Sequence, residues 1–481
     1  MSIAKKAVHG IAWVTLTALL IRIFETIAQL VLARLLDPAD FGLIAIGLLA
    51  INTMSIFRDM GFGAALIHRK EDPDYIAANT SFILIPIFAT ILLVIAYFSA
   101  PYMAVFFDNS EVSPIIRVLA LTFLISSFGT VPSILLEKEL EFKKKVIPET
   151  LPRLGYAIVA ILFAFYGYGV WSLVYGQITS AVLTTALIWI VSDWRPHLMF
   201  DKNVTKELFK YGKHILGASI IIFLITNVDD ALVGRVLGIE ELGFYTLAYT
   251  ISNLPATQIT HLIGRVMFPT YSKLQHDIDK LKSIYLKSIT FISMLSIPTS
   301  IGILLIAPSF ITFILGEKWT PAIPALQILC FYGLFRSIAA TSGSLFQAIG
   351  KPIVLMKTSI MQLVLMLLLF PVFYRYGITG ISVAVTIPLF IITLLQLHII
   401  TTVLKISLND IASILAFNFS SAFFMVIWFV VADSVLLSTL NEKPIIKMSS
   451  LIITSVVIYF LSIYILNKKS LEELKTMFKS I

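Results

Sequence analysis

Fourteen long apolar runs, each parted from the next by polar or Gly/Pro punctuation, organise this chain. They fall at about 10–35, 41–66, 77–99, 113–136, 147–166, 169–191, 212–236, 242–268, 284–306, 321–349, 353–374, 378–402, 410–431 and 449–466. Runs of this length suit a helix crossing the bilayer hydrocarbon. Strands of a membrane barrel would be about ten residues long and strictly alternating, whereas these runs are longer and continuously apolar. The pattern predicts an all-α polytopic membrane protein with about fourteen transmembrane helices. At the N-terminus Lys5 and Lys6 precede an apolar stretch, as in a secretory signal. That stretch runs from Val8 to Leu36 with Arg22 and Glu25 inside it and lacks a convincing small-residue cleavage site, so it reads as an uncleaved first span.

Composition removes the soluble alternatives. Of 481 residues 58% are hydrophobic and 13% charged, against about 25% charged in soluble proteins. The net charge of +8 suggests an acidic partner only until the basic residues are located. With both termini placed in the cytoplasm, 24 Lys and Arg fall in inner segments and 7 in outer ones, with five arginines inside spans. The excess therefore sets topology, supports an even number of spans, and argues against nucleic acid as a partner. The run Lys143-Lys144-Lys145 suits anionic lipid headgroups. Cys330 is the single cysteine, so no disulfide, CxxC motif or cysteine metal site is expected. No Walker A sequence is present, and the longest polar loop, about 192–211, is too short for a catalytic domain. Neither catalytic residues, nor a metal site, nor a cofactor is expected.

The chain also echoes itself. Ala33-Arg34-Leu35-Leu36 with Phe41-Gly42 returns 201 residues later as Gly234-Arg235-Val236-Leu237 with Leu242-Gly243. Tyr166-Gly167-Tyr168-Gly169-Val170 returns 208 residues later as Tyr374-Arg375-Tyr376-Gly377-Ile378. A duplicated six-helix unit gives two parallel lobes, 1–205 and 206–405, with two additional helices and a cytoplasmic tail over 406–481. In such an architecture a substrate site is expected between the halves near mid-depth.

Ionisable groups within spans are functional candidates because burial in hydrocarbon is costly. Span one carries Arg22 and Glu25 on one face with Thr15 and Gln29; span eight carries Tyr249, Asn253, Thr257, His261 and Arg265 at intervals of four. All five span-embedded basic residues, Arg22, Arg58, Arg153, Arg265 and Arg336, are arginine. Arginine keeps its proton when desolvated and its planar fork suits phosphate or carboxylate. The functional reading is a cationic cavity for an anionic substrate. The bland reading of Arg22 with Glu25 is a structural ion pair, Arg58 and Arg265 are placed where they could snorkel to the interface, and Arg153 reads as interfacial. Asp229 and Asp230 suit ion coupling or pairing with an arginine of the other half. His261 is either a titrating group or a hydrogen-bonded structural residue.

Several stretches in order resemble a known pattern: Leu32 to Leu36 with Pro38, Asp40, Phe41 and Gly42; Phe57-Arg58-Asp59-Met60-Gly61-Phe62-Gly63 running to His68-Arg69-Lys70; Gly167 to Val174; Phe268-Pro269; Gly316-Glu317-Lys318-Trp319; and Ala348 to Pro352. They are similar to the polysaccharide transporter family, the oligosaccharide-flippase branch of the multidrug/oligosaccharidyl-lipid/polysaccharide exporter superfamily, and most resemble its colanic-acid and teichuronic-acid exporter type. The resemblance implies a bacterial inner-membrane flippase that moves polyprenyl-diphosphate-linked oligosaccharide units outward by alternating access, for surface polysaccharide synthesis. Membrane lipids are implied partners, as are a polysaccharide polymerase and other assembly proteins. The resemblance further implies cavity arginines on the first, second and eighth helices, a role that falls to Arg22, Arg58 and Arg265. Arg336, Glu25, Asn253 and Thr257 complete the expected substrate-binding set, and Asp229, Asp230 and His261 the expected ion-coupling set. The rival readings are a cation-coupled multidrug exporter of the same superfamily and a membrane polysaccharide polymerase or ligase.

Overall fold

A computed structural model describes residues 24–57, 62–69, 75–139, 141–436 and 443–466. Arg22 and Arg58 lie outside the described residues, as do the side chains of His261 and Arg265.

The described residues form helices and no strand. After α1 over 24–35 come α2 (Pro38–Ser55), α3 (Phe62–His68), α4 (Ile76–Phe106), α5 (Val112–Leu119), α6 (Leu121–Lys138), α7 (Phe142–Phe165), α8 (Val170–Val191) and α9 (Lys202–Val236). Then follow α10 (Ile239–Ser252), a π-turn (Pro255–Ile259), α11 (Thr260–Leu274), α12 (Ile278–Phe310), α13 (Ala322–Ala348), α14 (Pro352–Phe373), α15 (Gly377–Leu404), α16 (Leu408–Val431) and α17 (Pro444–Leu466). Helix is what apolar segments must adopt in lipid, where each backbone N–H and C=O needs a partner within the segment. Ten helical stretches among the described residues are long and apolar enough to cross a membrane. Neither α9 nor the α10–α11 region is among them. Parts of both, 211–222 and 259–266, lie outside the residues whose side chains are described.

The molecule divides into two compact units, the first ending at Gly243 and the second beginning at Phe244. In the first, Phe62, Ile85, Val131 and Leu208 form a core that joins α3, α4, α6 and the start of α9. The segment entering α9 is fixed to α4 by two fully buried residues. Asn79 Oδ1 accepts the His197 N–H at 2.9 Å and Thr80 Oγ1 accepts the Asp201 N–H at 3.2 Å. Asp201 then caps α9, accepting from the N–H groups of Asn203 and Val204. In the second unit α16 and α17 pack on α12. Asn418 donates to Ser293 Oγ at 2.7 Å, and the buried Tyr459 hydroxyl donates to the Met294 carbonyl at 2.9 Å.

The sequence echoes have a structural reason. Gly169 and Gly377, 208 residues apart, have φ/ψ of 54°/−136° and 63°/−154°, a region that residues with a Cβ avoid. Gly42 and Gly243, 201 residues apart, sit in one reciprocal contact within the first unit. A Cβ on Gly42 would lie 1.9 Å from the Ile239 carbonyl oxygen, and one on Gly243 would lie 1.8 Å from that of Pro38. Pro38 and Ile239 are themselves 201 apart, so the starts of α2 and α10 cross with near two-fold symmetry.

Lys145 is the buried cation of the lysine run. It pairs with Glu137 of α6 and, at 3.3 Å, with Glu149 of its own helix. Its side chain is 9% exposed, whereas the two glutamates are 44% and 61% exposed. Removing one member of a buried pair costs about 3–5 kcal/mol, and partial solvation of the glutamates lowers the expectation for Lys145→Met to about 2 kcal/mol. Thermal unfolding in detergent should show this as a lowered Tm; an unchanged Tm would mean the pair contributes nothing to holding α6 against α7.

Candidate functional site

The arrangement of polar groups around Arg336 is built by α10 and α13 of the second unit. Gly333, one turn before the arginine, lets α13 come against the end of α10: a Cβ there would lie 2.0 Å from the Ser252 carbonyl oxygen. That approach brings the Arg336 guanidinium to its partners. Nη1 donates to the Tyr249 hydroxyl at 3.0 Å and to Asn253 Oδ1 at 3.1 Å. The Tyr249 and Tyr332 hydroxyls lie 3.3 Å apart. Asn253 is 3% exposed, and its amide nitrogen donates to the Tyr249 carbonyl at 3.0 Å. Tyr249 and Asn253 are neutral groups that orient the guanidinium.

Beyond Asn253 the helix changes form. Pro255 lacks an N–H and opens a π-turn through Ile259. The Thr257 hydroxyl donates to the Asn253 carbonyl at 3.0 Å across this turn. The regular four-residue stripe expected from Tyr249 to Arg265 is therefore interrupted, because a π-turn adds a residue and rotates the positions that follow. Such insertions recur at functional sites.

Of the residues expected from sequence, Arg336 and Asn253 are brought together, with Thr257 one turn on. Tyr332 belongs to the same cluster and was missed; the available signal was its place four residues before Arg336, on the same helical face. Glu25 stands elsewhere, accepting from Arg153 Nη1 of α7 at 3.1 Å, with side-chain exposures of 23% and 54%. Asp229 is buried and Asp230 half-buried on α9 in the first unit.

Helices of membrane-spanning length, ten such stretches among the described residues, define a polytopic membrane protein. The family model described as "Polysaccharide biosynthesis protein" matches residues 31–324. The chain belongs to that family, a polysaccharide transporter group of the exporter superfamily that its motifs resemble. It is 28% identical to the lipopolysaccharide biosynthesis protein WzxC of Escherichia coli over 72% of this chain and 71% of that protein. It is 29% identical to the teichuronic acid biosynthesis protein TuaB of Bacillus subtilis over 73% of each. In fold it is similar to the lipid II flippase MurJ in an inward closed conformation, with TM-score 0.77 and 15% identity over 94% of this chain and 98% of that one. An inward-facing multidrug resistance MATE family transporter is also similar, with TM-score 0.65 and 17% identity over 79% and 95%.

Proposed function

We propose that the protein is a flippase that carries polyprenyl-diphosphate-linked oligosaccharide units across the bacterial inner membrane by alternating access, for surface polysaccharide synthesis. The observation that carries this reading is Arg336, a permanent cation oriented by Tyr249 and Asn253 within a family whose relatives are named for lipopolysaccharide and teichuronic acid biosynthesis. A diphosphate cannot enter hydrocarbon unaided; a guanidinium at mid-span gives it a partner. Arg22, Arg58 and Arg265 are assigned to the same anion path, and Asp229, Asp230 and His261 to ion coupling. The topology assigned is fourteen spans in two six-helix lobes, 1–205 and 206–405, followed by two further helices, with both termini cytoplasmic. An outer-leaflet polymerase that consumes the product would supply direction. A cation-coupled multidrug exporter shares the fold, but an arginine within the path disfavours a cationic cargo.

The test is leaflet assignment. In proteoliposomes, a labelled polyprenyl-diphosphate-linked oligosaccharide should become accessible in the opposite leaflet faster than in protein-free vesicles. Equal rates would reject the flippase reading.

A further inference from the structure

The duplicated halves carry corresponding helix positions to different ends. Helices α2 and α10 align at an offset of 201, pairing Gly42 with Gly243, Leu48 with Tyr249, and Asn52 with Asn253. Helices α5 and α6 align with α13 at an offset of 210, pairing Pro114, Leu119, Ser127 and Leu135 with Pro324, Leu329, Ser337 and Leu345. A matching tertiary contact supports that register. The Thr185 hydroxyl donates to the Ile125 carbonyl at 3.0 Å, and the Thr393 hydroxyl to the Phe335 carbonyl at 3.5 Å. Thr122 and Ser126 are thereby the counterparts of Tyr332 and Arg336.

The four residues that build the arginine cluster in the second half, Tyr249, Asn253, Tyr332 and Arg336, thus correspond to Leu48, Asn52, Thr122 and Ser126. All four of these line one cavity of about 370 Å³ in the first unit. Where the second half has two phenol rings and a guanidinium, the first has leucine, threonine and serine, and the space stays open. Helix α8 lines it too, with Gln177, Ser180 and Thr184. At the 208 offset their counterparts on α15 are Val385, Pro388 and Ile392, all without a polar side chain. The first half has therefore exchanged a charged cluster for an open neutral one.

The cavity's chemistry narrows its ligand. No ionisable side chain lines it among the described residues. The amides of Asn52 and Gln177 each offer donors and an acceptor. The Thr122 and Thr184 hydroxyls donate to backbone carbonyls about one turn back, Leu119 at 2.6 Å and Ser180 at 2.8 Å, and so turn lone pairs outward as acceptors. Phe123 also lines the cavity. Among the described lining residues an anion finds no cation, and an apolar molecule would leave the amides without partners. A polyol, whose hydroxyls both donate and accept, satisfies them. The volume lies in the lower part of the range for small-ligand sites.

We propose that this cavity is a carbohydrate subsite that takes a neutral sugar residue of the transported glycan. The proposal rests on the flippase reading. The test uses the full-length protein in proteoliposomes with two probes, bare polyprenyl diphosphate and the same lipid bearing a neutral tetrasaccharide. Ser126→Met fills the cavity, and Gln177→Leu removes an amide at nearly constant volume, so the second variant keeps the test open where the first fails to fold. Each should weaken binding of the tetrasaccharide lipid about tenfold and leave that of the bare lipid unchanged. Unaltered tetrasaccharide binding in the folded variants, or an equal loss for both lipids, overturns the subsite while the flippase reading stands. A wild-type protein that binds neither lipid overturns the flippase reading and the subsite with it.

Discussion

Arg336→Ala should reduce translocation of a polyprenyl-diphosphate-linked oligosaccharide by at least about 30-fold while the protein still inserts and accumulates. That figure corresponds to about 2 kcal/mol, the low end for removing a desolvated charged partner from a phosphate contact. The substitution also leaves Tyr249 and Asn253 without the donor that now joins them, so part of the loss is positional. Two further variants separate the contributions. Arg336→Lys keeps the charge but not the planar fork and should fall between wild type and alanine. Tyr249→Phe keeps the charge and the ring but removes one acceptor, and should cost less than either. Wild-type transport by a well-expressed Arg336→Ala protein would exclude this residue from the anion path. Activities of alanine and lysine variants that are equal and low would show that fork geometry, rather than charge, is what the substrate requires.

The second large effect belongs to the glycine crossing. Gly42→Ala and Gly243→Ala each place a methyl group within 2 Å of a carbonyl oxygen, at Ile239 and Pro38 respectively. The obstructing atoms are backbone, which cannot rotate aside as a side chain can. Each single variant should lose about 3 kcal/mol, the upper part of the usual overpacking range, seen as a lowered Tm in detergent. The double variant should lose much less than twice that amount. Once one methyl has separated the helix starts, the second meets space already opened, and contacts that share one displacement are not additive. Strictly additive losses would show that the two glycines serve independent contacts, and two variants of unchanged Tm would show that the crossing is loose.

Much of this fold was legible because a bilayer leaves few choices. The apolar runs at 77–99, 169–191 and 353–374 became α4, α8 and α14, since lipid admits the backbone only as closed hydrogen-bonded structure. The repeated glycines were legible for a different reason: Gly169 and Gly377 occupy conformations that exclude other residues, so both copies retain the same letter. Contacts between distant helices were not legible. Arg336 and Asn253 were each readable as polar residues in an apolar run, yet their pairing depends on Gly333 meeting the Ser252 carbonyl, and nothing in the periodicity of either helix encodes that. Glu25 meets Arg153, 128 residues away in the chain, a contact that local spacing does not encode. The π-turn was invisible to hydropathy, which measures burial and not backbone winding; Pro255 was its only mark.

The chain that leads from α8 into α9 looks like a connector, but its attachments make it a drive link. With the His197 and Asp201 amides held by Asn79 and Thr80 in the fully buried interior of α4, the slack is confined to the few residues between Ser192 and Pro196. A displacement of α9 cannot be taken up by this strap paying out. It must pull on α4, and the two helices are geared together at their ends by bonds between residues 118 and 121 apart in the chain.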